Sequence, residues 1–307
     1  MRIGCHVSIA GGIVNAPKRA ADLGCEVFQM FSRSPQGGPA PKLTAEIVKE
    51  FKTEMEKHAQ KNCYIHAPYY INFASSKKAI CSSSVRIVRE ELERGSLIGA
   101  KYVMFHPGSA KDLEREEALK ITARGVAQVL KGYKGTTELL LEISAGAGRR
   151  HAEAGSGLAE AGGIIGDTFD ELANIIKACG KKPGICLDSA HMFASGYDIK
   201  TKDGFAGILK TIKETVGMDS VKLIHANDSK VGLGERKDRH EHIGDGKIGV
   251  EGFKNLINSF SETDFILETQ HDKVVEDIKL LKGIRGLLPN TLSLRNCHTS
   301  IEAKKKL

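Results

Sequence analysis

Short apolar runs alternate with longer amphipathic stretches along most of this chain. The apolar runs are bounded by Gly, Pro or polar residues, which is typical of strands that are buried on both faces. They predict strands at 2–7, 26–31, 63–67, 102–105 and 138–143, in the first part of 185–191, and at 221–226 and 264–268. The amphipathic stretches have a helical period and predict helices near 15–23, 44–57, 83–98, 115–130, 168–180, 203–216, 250–260 and 274–288.

Eight strand–helix units in alternation favour an α/β fold with a parallel sheet. The 307 residues suit a (β/α)8 TIM barrel, which takes about 250 residues plus insertions and carries its active site at the carboxyl ends of the strands. We predict one barrel domain at 1–288 and a flexible tail at 289–307. Segment 145–166 has no period and predicts a long surface loop. Thr168 and Glu171 then have the spacing of a capping box at the next helix.

Composition excludes a membrane protein and a disulfide-rich secreted protein. No apolar run approaches the about 20 residues that span a bilayer, and the chain starts without the apolar core of a signal peptide. The 7 cysteines are scattered singly without a Cys-x-x-Cys pair, which favours a reducing compartment. We therefore expect a protein of the cytoplasm or of another reducing intracellular compartment. The net charge of +7 permits a polyanionic partner but does not by itself indicate one.

Histidines and carboxylates collect where the predicted strands end. A single histidine there is more often a core residue, and a lone Asp-x-x-His pair often only caps a helix. Convergence from six strands is different, because so many unpaired carboxylates would repel one another unless cations offset their charge. The candidate metal ligands are His66, His106, Glu142, Asp188, His191, His225 and Glu268, with Asp238 and His240 from the loop after the seventh strand.

Nine nitrogen and oxygen ligands exceed a single metal site. Zinc takes about four ligands, which include water or substrate in catalytic sites. If one carboxylate is shared between ions, nine protein ligands are enough for two or three metal ions. Closely spaced ions suit phosphoryl chemistry, in which one activates a water and another stabilises the leaving oxygen. Together with the basic charge, this set indicates hydrolysis of a nucleic-acid phosphodiester.

Several runs closely resemble the endonuclease IV family of apurinic/apyrimidinic (AP) endonucleases. The resemblance covers about residues 2–286 and implies a (β/α)8 barrel with a trinuclear zinc centre, all nine ligand positions being occupied by the right residue type. The runs that carry it are Gly4–Ser8, His106–Gly108, Cys186–His191, Gly196–Asp198, His225–Lys230, Asp238–His240 and Leu267–Thr269.

The resemblance assigns the ligands to three zinc ions per chain. His66, His106 and Glu142 would hold the first, and His191, Asp238 and His240 the third. The second would be held by Glu142, Asp188, His225 and Glu268. Glu142 would thus bridge two ions and position the attacking hydroxide, with Asp188 and Glu268 completing the catalytic set.

The resemblance also implies the reaction and its substrate. A monomer would bind double-stranded DNA that contains an abasic site and cleave the phosphodiester 5′ to it, which leaves a 3′-hydroxyl and a 5′-deoxyribose phosphate. The family also trims blocked 3′ ends. An abasic nucleotide has no base stacking to lose and is easily flipped into a pocket.

Five residues are candidates for DNA contact. Tyr69 and Tyr70 match a loop that probes the duplex, although two tyrosines after a proline could equally pack the barrel rim. Gln36 lies where many members carry an arginine and an aromatic residue, and with no Trp in the chain the probing role of this loop is in doubt. Arg149 and Arg150 lie in an apparent insertion of about a dozen residues, where they would meet phosphates or remain solvated. We do not expect His242 to be a ligand.

Two other classes of function compete with the nuclease. A sugar isomerase or epimerase on a related TIM barrel also places His and carboxylates at strand ends, but it uses one metal and fewer ligands. A non-enzymatic DNA-binding module would leave the nine convergent ligands unexplained.

Overall fold

Eight parallel strands close into a barrel, which confirms the predicted TIM-barrel fold. The computed structural model describes residues 1–111, 113–148 and 163–287. The barrel strands are Ile3–His6 (β1), Val27–Met30 (β2), Cys63–His66 (β3), Tyr102–Phe105 (β4), Glu138–Glu142 (β5), Gly184–Asp188 (β6), Val221–His225 (β7) and Asp264–Leu267 (β10). Two short strands outside the barrel, Asp228–Ser229 (β8) and His240–Glu241 (β9), pair antiparallel. Around the barrel the strand order is β1, β10, β7, β6, β5, β4, β3, β2.

The predicted helices are present, with shifts at some ends. They are Ala16–Asp22 (α1), Ala45–Lys57 (α2), Lys78–Ile98 (α3), Arg115–Leu130 (α4), Phe169–Cys179 (α5), Lys202–Thr215 (α7), Gly249–Ser259 (α8) and Val274–Gly286 (α9). Helix α3 begins at Lys78, earlier than the predicted 83, and its Ser84 hydroxyl accepts a hydrogen bond from the Asn72 N–H at 2.9 Å, which ties the first turns to the preceding loop. A six-residue helix, Ser189–Ala194 (α6), follows β6 and is too short to show a period in the sequence. Single turns of 3₁₀-helix lie at Ile13–Asn15 and Met218–Ser220.

The core has two layers, and together they hold the carboxyl ends of the strands in place. A large apolar cluster lies between the strands and the helices. At the amino end of the barrel interior, the Tyr64 hydroxyl donates to Asp264 Oδ2 at 2.6 Å. The side chains that fill the interior are Val27, Tyr64, Tyr102, Met104, Leu140, Cys186, Leu223 and Ile266.

Helix α5 begins with half of the predicted capping box. The Thr168 hydroxyl accepts from the Glu171 N–H at 3.2 Å, as the spacing predicts. The Glu171 carboxylate instead pairs with Arg115 of α4, because this buried guanidinium requires an acidic partner. The helix ends at Gly180, whose φ of 63° is the left-handed conformation that glycine adopts easily.

The segment predicted as a long loop has an ordered base. Ser144 N–H donates to Gly166 O at 2.9 Å, and Ile164 N–H donates to Ala147 O at 2.9 Å. Arg115 also donates to the Ile164 carbonyl at 3.3 Å, which ties the base of the loop to α4. Residues 149–162, with Arg149 and Arg150, lie outside the described residues, as does the predicted tail 289–307.

No helix within the described ranges is long and apolar enough to cross a membrane. The six cysteines in these ranges are free thiols. Cys63 and Cys186, expected to be buried in strands, are fully buried in β3 and β6.

Candidate metal centre

The first candidate group joins the ends of three neighbouring strands. His66 ends β3, His106 directly follows β4 and Glu142 ends β5. His66 Nε2 lies 3.1 Å from Glu142 Oε2, and His106 Nε2 lies 3.8 Å from Glu142 Oε1. One ligand atom from each residue lies within 4.8 Å of the others, which is a spacing that one metal ion could bridge. The structure therefore brings together the three residues assigned to the first ion.

The second group shares Glu142 with the first. His225 Nδ1 lies 2.9 Å from Glu142 Oε1, 3.3 Å from Glu268 Oε2 and 3.9 Å from Asp188 Oδ2. These four residues come from the ends of β5, β6, β7 and β10 and form one group within the same 4.8 Å limit. The shared carboxylate is the arrangement expected of a bridging ligand.

The third group differs in part from the predicted set. His191 and His240 form it with Asp188, whose Oδ2 is 3.7 Å from His240 Nε2. Asp238, predicted as the third ligand, lies beside the group with Oδ1 at 3.3 Å from His191 Nε2 and 3.2 Å from His240 Nε2. Asp188 is thus a second carboxylate shared between groups, a role that the sequence pattern did not indicate.

Hydrogen bonds fix which histidine nitrogen faces the centre. His66 Nδ1–H donates to the Ala67 carbonyl at 2.6 Å, and His191 Nδ1–H donates to the Ile143 carbonyl at 3.0 Å. Because a carbonyl oxygen only accepts, each ring carries a proton on Nδ1, which leaves Nε2 as the nitrogen available to a metal ion. Such outer partners are typical of metal-binding histidines.

The carboxylates of the centre are held in the ionised form. Burial raises the pKa of Glu142, but His106 and His225 hold it well below its ordinary value. Burial likewise raises the pKa of Glu268, which His225 lowers to about 2. Burial lowers the pKa of His191, but Asp188 and Asp238 raise it to about 10. The carboxylates are therefore ionised and available as ligands to a cation.

The donor set fits divalent cations that prefer nitrogen and oxygen ligands. Glu142 and Asp188 are fully buried. Within the described ranges neither carboxylate contacts a Lys or Arg, their side-chain partners being histidines and the Asn227 amide. Burying carboxylates without a basic partner is costly, and a bound cation would offset that cost.

Comparisons with known proteins show which family the chain belongs to. The family model described as "Xylose isomerase-like TIM barrel" matches residues 17–287. A "Probable endonuclease 4" of Aquifex aeolicus (strain VF5) is 41% identical over 281 residues, which cover 90% of this chain and 94% of that protein. The crystal structure of endonuclease IV from Thermus thermophilus matches with a TM-score of 0.79 and 30% identity, covering 92% of this chain and 98% of the other. The chain belongs to the endonuclease IV family.

Membership in the endonuclease IV family confirms the predicted enzyme class, a hydrolase of the deoxyribonuclease IV type. Sugar-converting enzymes share only the barrel. The crystal structure of a D-tagatose 3-epimerase-like protein covers 92% of this chain and 97% of the other with a TM-score of 0.64, but at 18% identity. This likeness shows the fold alone, so the isomerase alternative has no support beyond the shared architecture.

The sequence analysis did not identify two amide side chains that contact the candidate ligands. Asn227 Nδ2 donates to Asp188 Oδ2 at 2.7 Å, and its Oδ1 accepts from the Glu268 N–H at 2.8 Å. Gln29 in β2 is fully buried and bonds to His225 and Glu268. The signal for Gln29 was its spacing, since strand residues two apart share a face and Val27 lines the barrel interior.

The loop that carries Asp238 and His240 is shaped by Asp228. The buried Asp228 carboxylate accepts from the N–H groups of Gly244, Ile248 and Gly249 at 2.9, 2.9 and 3.0 Å. The β8–β9 pairing then sets Ser229 opposite His240. This part of the chain therefore has a fixed conformation although it is mostly outside helices and strands.

The side chain of His242 contacts two carboxylates that lie outside the candidate metal groups. Its Nδ1 lies 2.7 Å from Asp277 Oδ2 and its Nε2 lies 3.1 Å from Asp272 Oδ1. The Asp277 carboxylate also accepts from the Thr269 hydroxyl at 2.8 Å. His242 thus ties its loop to α9 and to the residue after Glu268.

The candidate DNA contacts lie partly at the mouth of the centre. Tyr69 is 68% exposed and Tyr70 is 38% exposed. The Tyr69 ring packs edge-on against Phe31, with centroids 5.2 Å apart, and lies 5.7 Å from the His66 ring. A cavity of 240 Å³ adjoins both tyrosines and reaches His106, His191 and Asp238. Gln36 is exposed on the loop after β2, outside the candidate metal groups.

Proposed function

We propose that this chain is an AP endonuclease of DNA repair, which hydrolyses the phosphodiester 5′ to an abasic site in double-stranded DNA. The products would be a 3′-hydroxyl and a 5′-deoxyribose phosphate. The observation that carries the proposal is the sharing of Glu142 and Asp188 among three groups of ligands, which makes one extended centre at the barrel mouth. All the ligands come from a single chain, so a monomer suffices.

The proposed cofactors are three zinc ions per chain. His66, His106 and Glu142 would hold the first, Glu142, Asp188, His225 and Glu268 the second, and His191 and His240 with Asp188 and Asp238 the third. Imidazole and carboxylate ligands without thiolate suit zinc, and they also accept manganese. Bound ions of this kind supply a water that is nucleophilic at neutral pH and positive charge for the phosphate oxygens.

The protein's own side chains would orient and select the substrate. The shared carboxylates would set the spacing of the ligand groups. The rings of His66 and His191 are held in orientation by hydrogen bonds from Nδ1 to main-chain carbonyls. Basic side chains at Lys230, Arg239 and Lys273 line a cavity of 550 Å³ that also touches His240 and Glu268. Lys230 and Lys273 already pair with Glu241 and Asp245, so Arg239 is the basic side chain of the three that is proposed to contact a backbone phosphate.

Abasic sites would be selected by their ease of extrusion. A nucleotide without a base loses no stacking when it leaves the duplex, so the cavity beside His106 and His191 could receive it at low cost. Tyr69 and Tyr70 stand at the rim of that cavity, where their rings could pack against the opened stack. Gln36 on the loop after β2, and Arg149 and Arg150 on the segment after Glu142, are proposed as weaker backbone contacts.

Metal stoichiometry separates this function from a sugar isomerase. After exhaustive dialysis, we expect about three equivalents of zinc per chain by elemental analysis. One equivalent would favour the single-metal isomerase and contradict the proposal. The second proposed activity is the trimming of blocked 3′ ends. It predicts that the protein releases phosphate from a nicked duplex with a 3′-phosphate, and the absence of release would contradict this second activity.

A further inference from the structure

Gln29 crosses the barrel mouth from β2 to reach the second ligand group. Its Oε1 lies 2.7 Å from His225 Nε2, and its Nε2 lies 2.6 Å from Glu268 Oε1 and 3.0 Å from His6 Nδ1. In the barrel order β1 and β10 separate β2 from β7, so this amide joins strands that are not neighbours. Gln29 is fully buried, so its side-chain amide is not in contact with solvent.

The partners of Gln29 determine which way its amide points. A carboxylate only accepts hydrogen bonds, so the NH₂ group must face Glu268 and the carbonyl oxygen must face His225. The amide oxygen is also only an acceptor, and His225 must therefore carry its proton on Nε2. His225 Nδ1, which lies 2.9 Å from Glu142 Oε1, is then the nitrogen left to bind a metal ion in place of a proton.

His225 differs in this respect from two other histidines of the centre. Main-chain carbonyls of Ala67 and Ile143 fix the rings of His66 and His191, and both rings present Nε2. His225 presents Nδ1, and its outer nitrogen is held by a side chain. The orientation of His225 therefore depends on a residue that a single substitution can remove.

We propose that Gln29 is a positioning residue for the metal centre, which selects the Nδ1 lone pair of His225 and orients the Glu268 carboxylate toward the same ion. The inference rests on the proposed metal-dependent function. Because the ligands that Gln29 contacts both belong to the second group, its removal acts on one ion of the three. Loss of such outer partners typically weakens metal binding about 10- to 100-fold.

The test compares Gln29→Leu with Gln60→Leu. Gln60 is a second buried glutamine, at the amino end of the barrel, where it donates to the carbonyls of Cys25 and His58. Both variants lose the same group from a buried position, so Gln60→Leu controls for general destabilisation. In zinc titrations against a chelator, we expect Gln29→Leu to bind one of its three zinc ions about 10- to 100-fold more weakly than the wild type does. Gln60→Leu should bind all its zinc as the wild type does.

The tautomer of His225 gives a readout that needs no variant. In zinc-loaded wild-type protein with ¹⁵N-labelled histidine, a long-range ¹H–¹⁵N spectrum should show His225 protonated at Nε2 and metal-bound at Nδ1. A proton on Nδ1 would overturn the inference even if Gln29→Leu fails to fold. Unchanged zinc affinity in Gln29→Leu would also overturn it and leave the proposed function intact, whereas a wild type without tight zinc would overturn both.

Discussion

Asp188 caps the helix that carries His191. Its Oδ1 accepts from the His191 N–H at 2.8 Å, while its Oδ2 lies 3.7 Å from His240 Nε2 and 3.9 Å from His225 Nδ1. One carboxylate therefore begins helix α6 and also faces two ligand groups. The three-residue spacing between Asp188 and His191 thus sets the distance between the second and third ligand groups.

Replacing these two residues should remove different numbers of metal ions. His191→Ala takes a ligand from the third group only, and we expect it to retain two zinc equivalents. Asp188→Ala removes a shared carboxylate together with the cap of α6, and should retain at most one. In both variants cleavage should fall at least about 100-fold, since each ion contributes several kcal/mol to charge stabilisation. Equal metal counts for the two variants by elemental analysis would contradict this division.

Asp228 should be essential for the loop that carries Asp238 and His240. Asp228→Ala would leave the N–H groups of Gly244, Ile248 and Gly249 without their acceptor. We expect the free energy of unfolding to fall by about 3 kcal/mol, since each orphaned buried donor costs about 1–3 kcal/mol and water would reach some of them.

Asp245→Ala on the same loop is the control for Asp228→Ala. Asp245 is exposed and its pair with Lys273 is a surface contact, so its loss should leave the urea unfolding midpoint nearly unchanged. Similar losses in the two variants would show that Asp228 has no special role. Zinc retention should also fall in Asp228→Ala, by one equivalent.

A buried ion pair should anchor the loop after β2. Glu91 of α3 is fully buried and pairs with the buried Arg33, and it accepts from the Ser32 hydroxyl at 2.5 Å. Glu91→Ala leaves the Arg33 guanidinium with only Glu90, 2.9 Å from Arg33 Nη2, and we expect a loss of about 3 kcal/mol in the free energy of unfolding, the low end for a broken buried pair. The exposed Glu93, paired with Arg89 on the same helix, is the control, and Glu93→Ala should cost less than about 1 kcal/mol. A loss below about 1 kcal/mol for Glu91→Ala would refute the anchoring role.

Tyr69 should contribute to DNA binding without affecting the metals. If its exposed ring stacks on the opened duplex, Tyr69→Ala should weaken binding to an abasic duplex about 5- to 150-fold, as expected for about 1–3 kcal/mol of stacking. Tyr69→Phe retains the ring and should bind like the wild type, and both variants should keep their zinc. Anisotropy titrations with metal-depleted protein, which leaves the duplex uncleaved, would measure this, and equal affinities for Tyr69→Ala and wild type would exclude the contact.

The barrel and the positions of the candidate ligands at its strand ends could be predicted because local pattern determines them. Buried apolar runs such as Tyr102–Phe105 define the strands, and a histidine or carboxylate directly after such a run must lie at the barrel mouth. Family membership confirms the fold and the enzyme class that the motifs predicted. The assignment of each ligand to an ion stays a prediction.

Features that depend on side-chain direction could not be predicted in the same way. The sharing of Asp188 follows from how α6 begins, and α6 is too short to leave a period. In the sequence Gln29 is a single polar residue within a buried apolar strand, and its partners His225 and Glu268 are distant in sequence. Asp228 holds its loop through main-chain groups, which carry no residue-type signal.

The central claim is that this centre cleaves DNA at abasic sites in a metal-dependent reaction. The most direct measurement uses a duplex oligonucleotide with one tetrahydrofuran abasic analogue, incubated with zinc-loaded protein, with chelated protein, and with chelated protein to which zinc is returned. We predict a single incision 5′ to the analogue that leaves a 3′-hydroxyl, its loss on chelation and its recovery with zinc. No incision by the zinc-loaded protein, or incision that chelation does not reduce, would contradict the account.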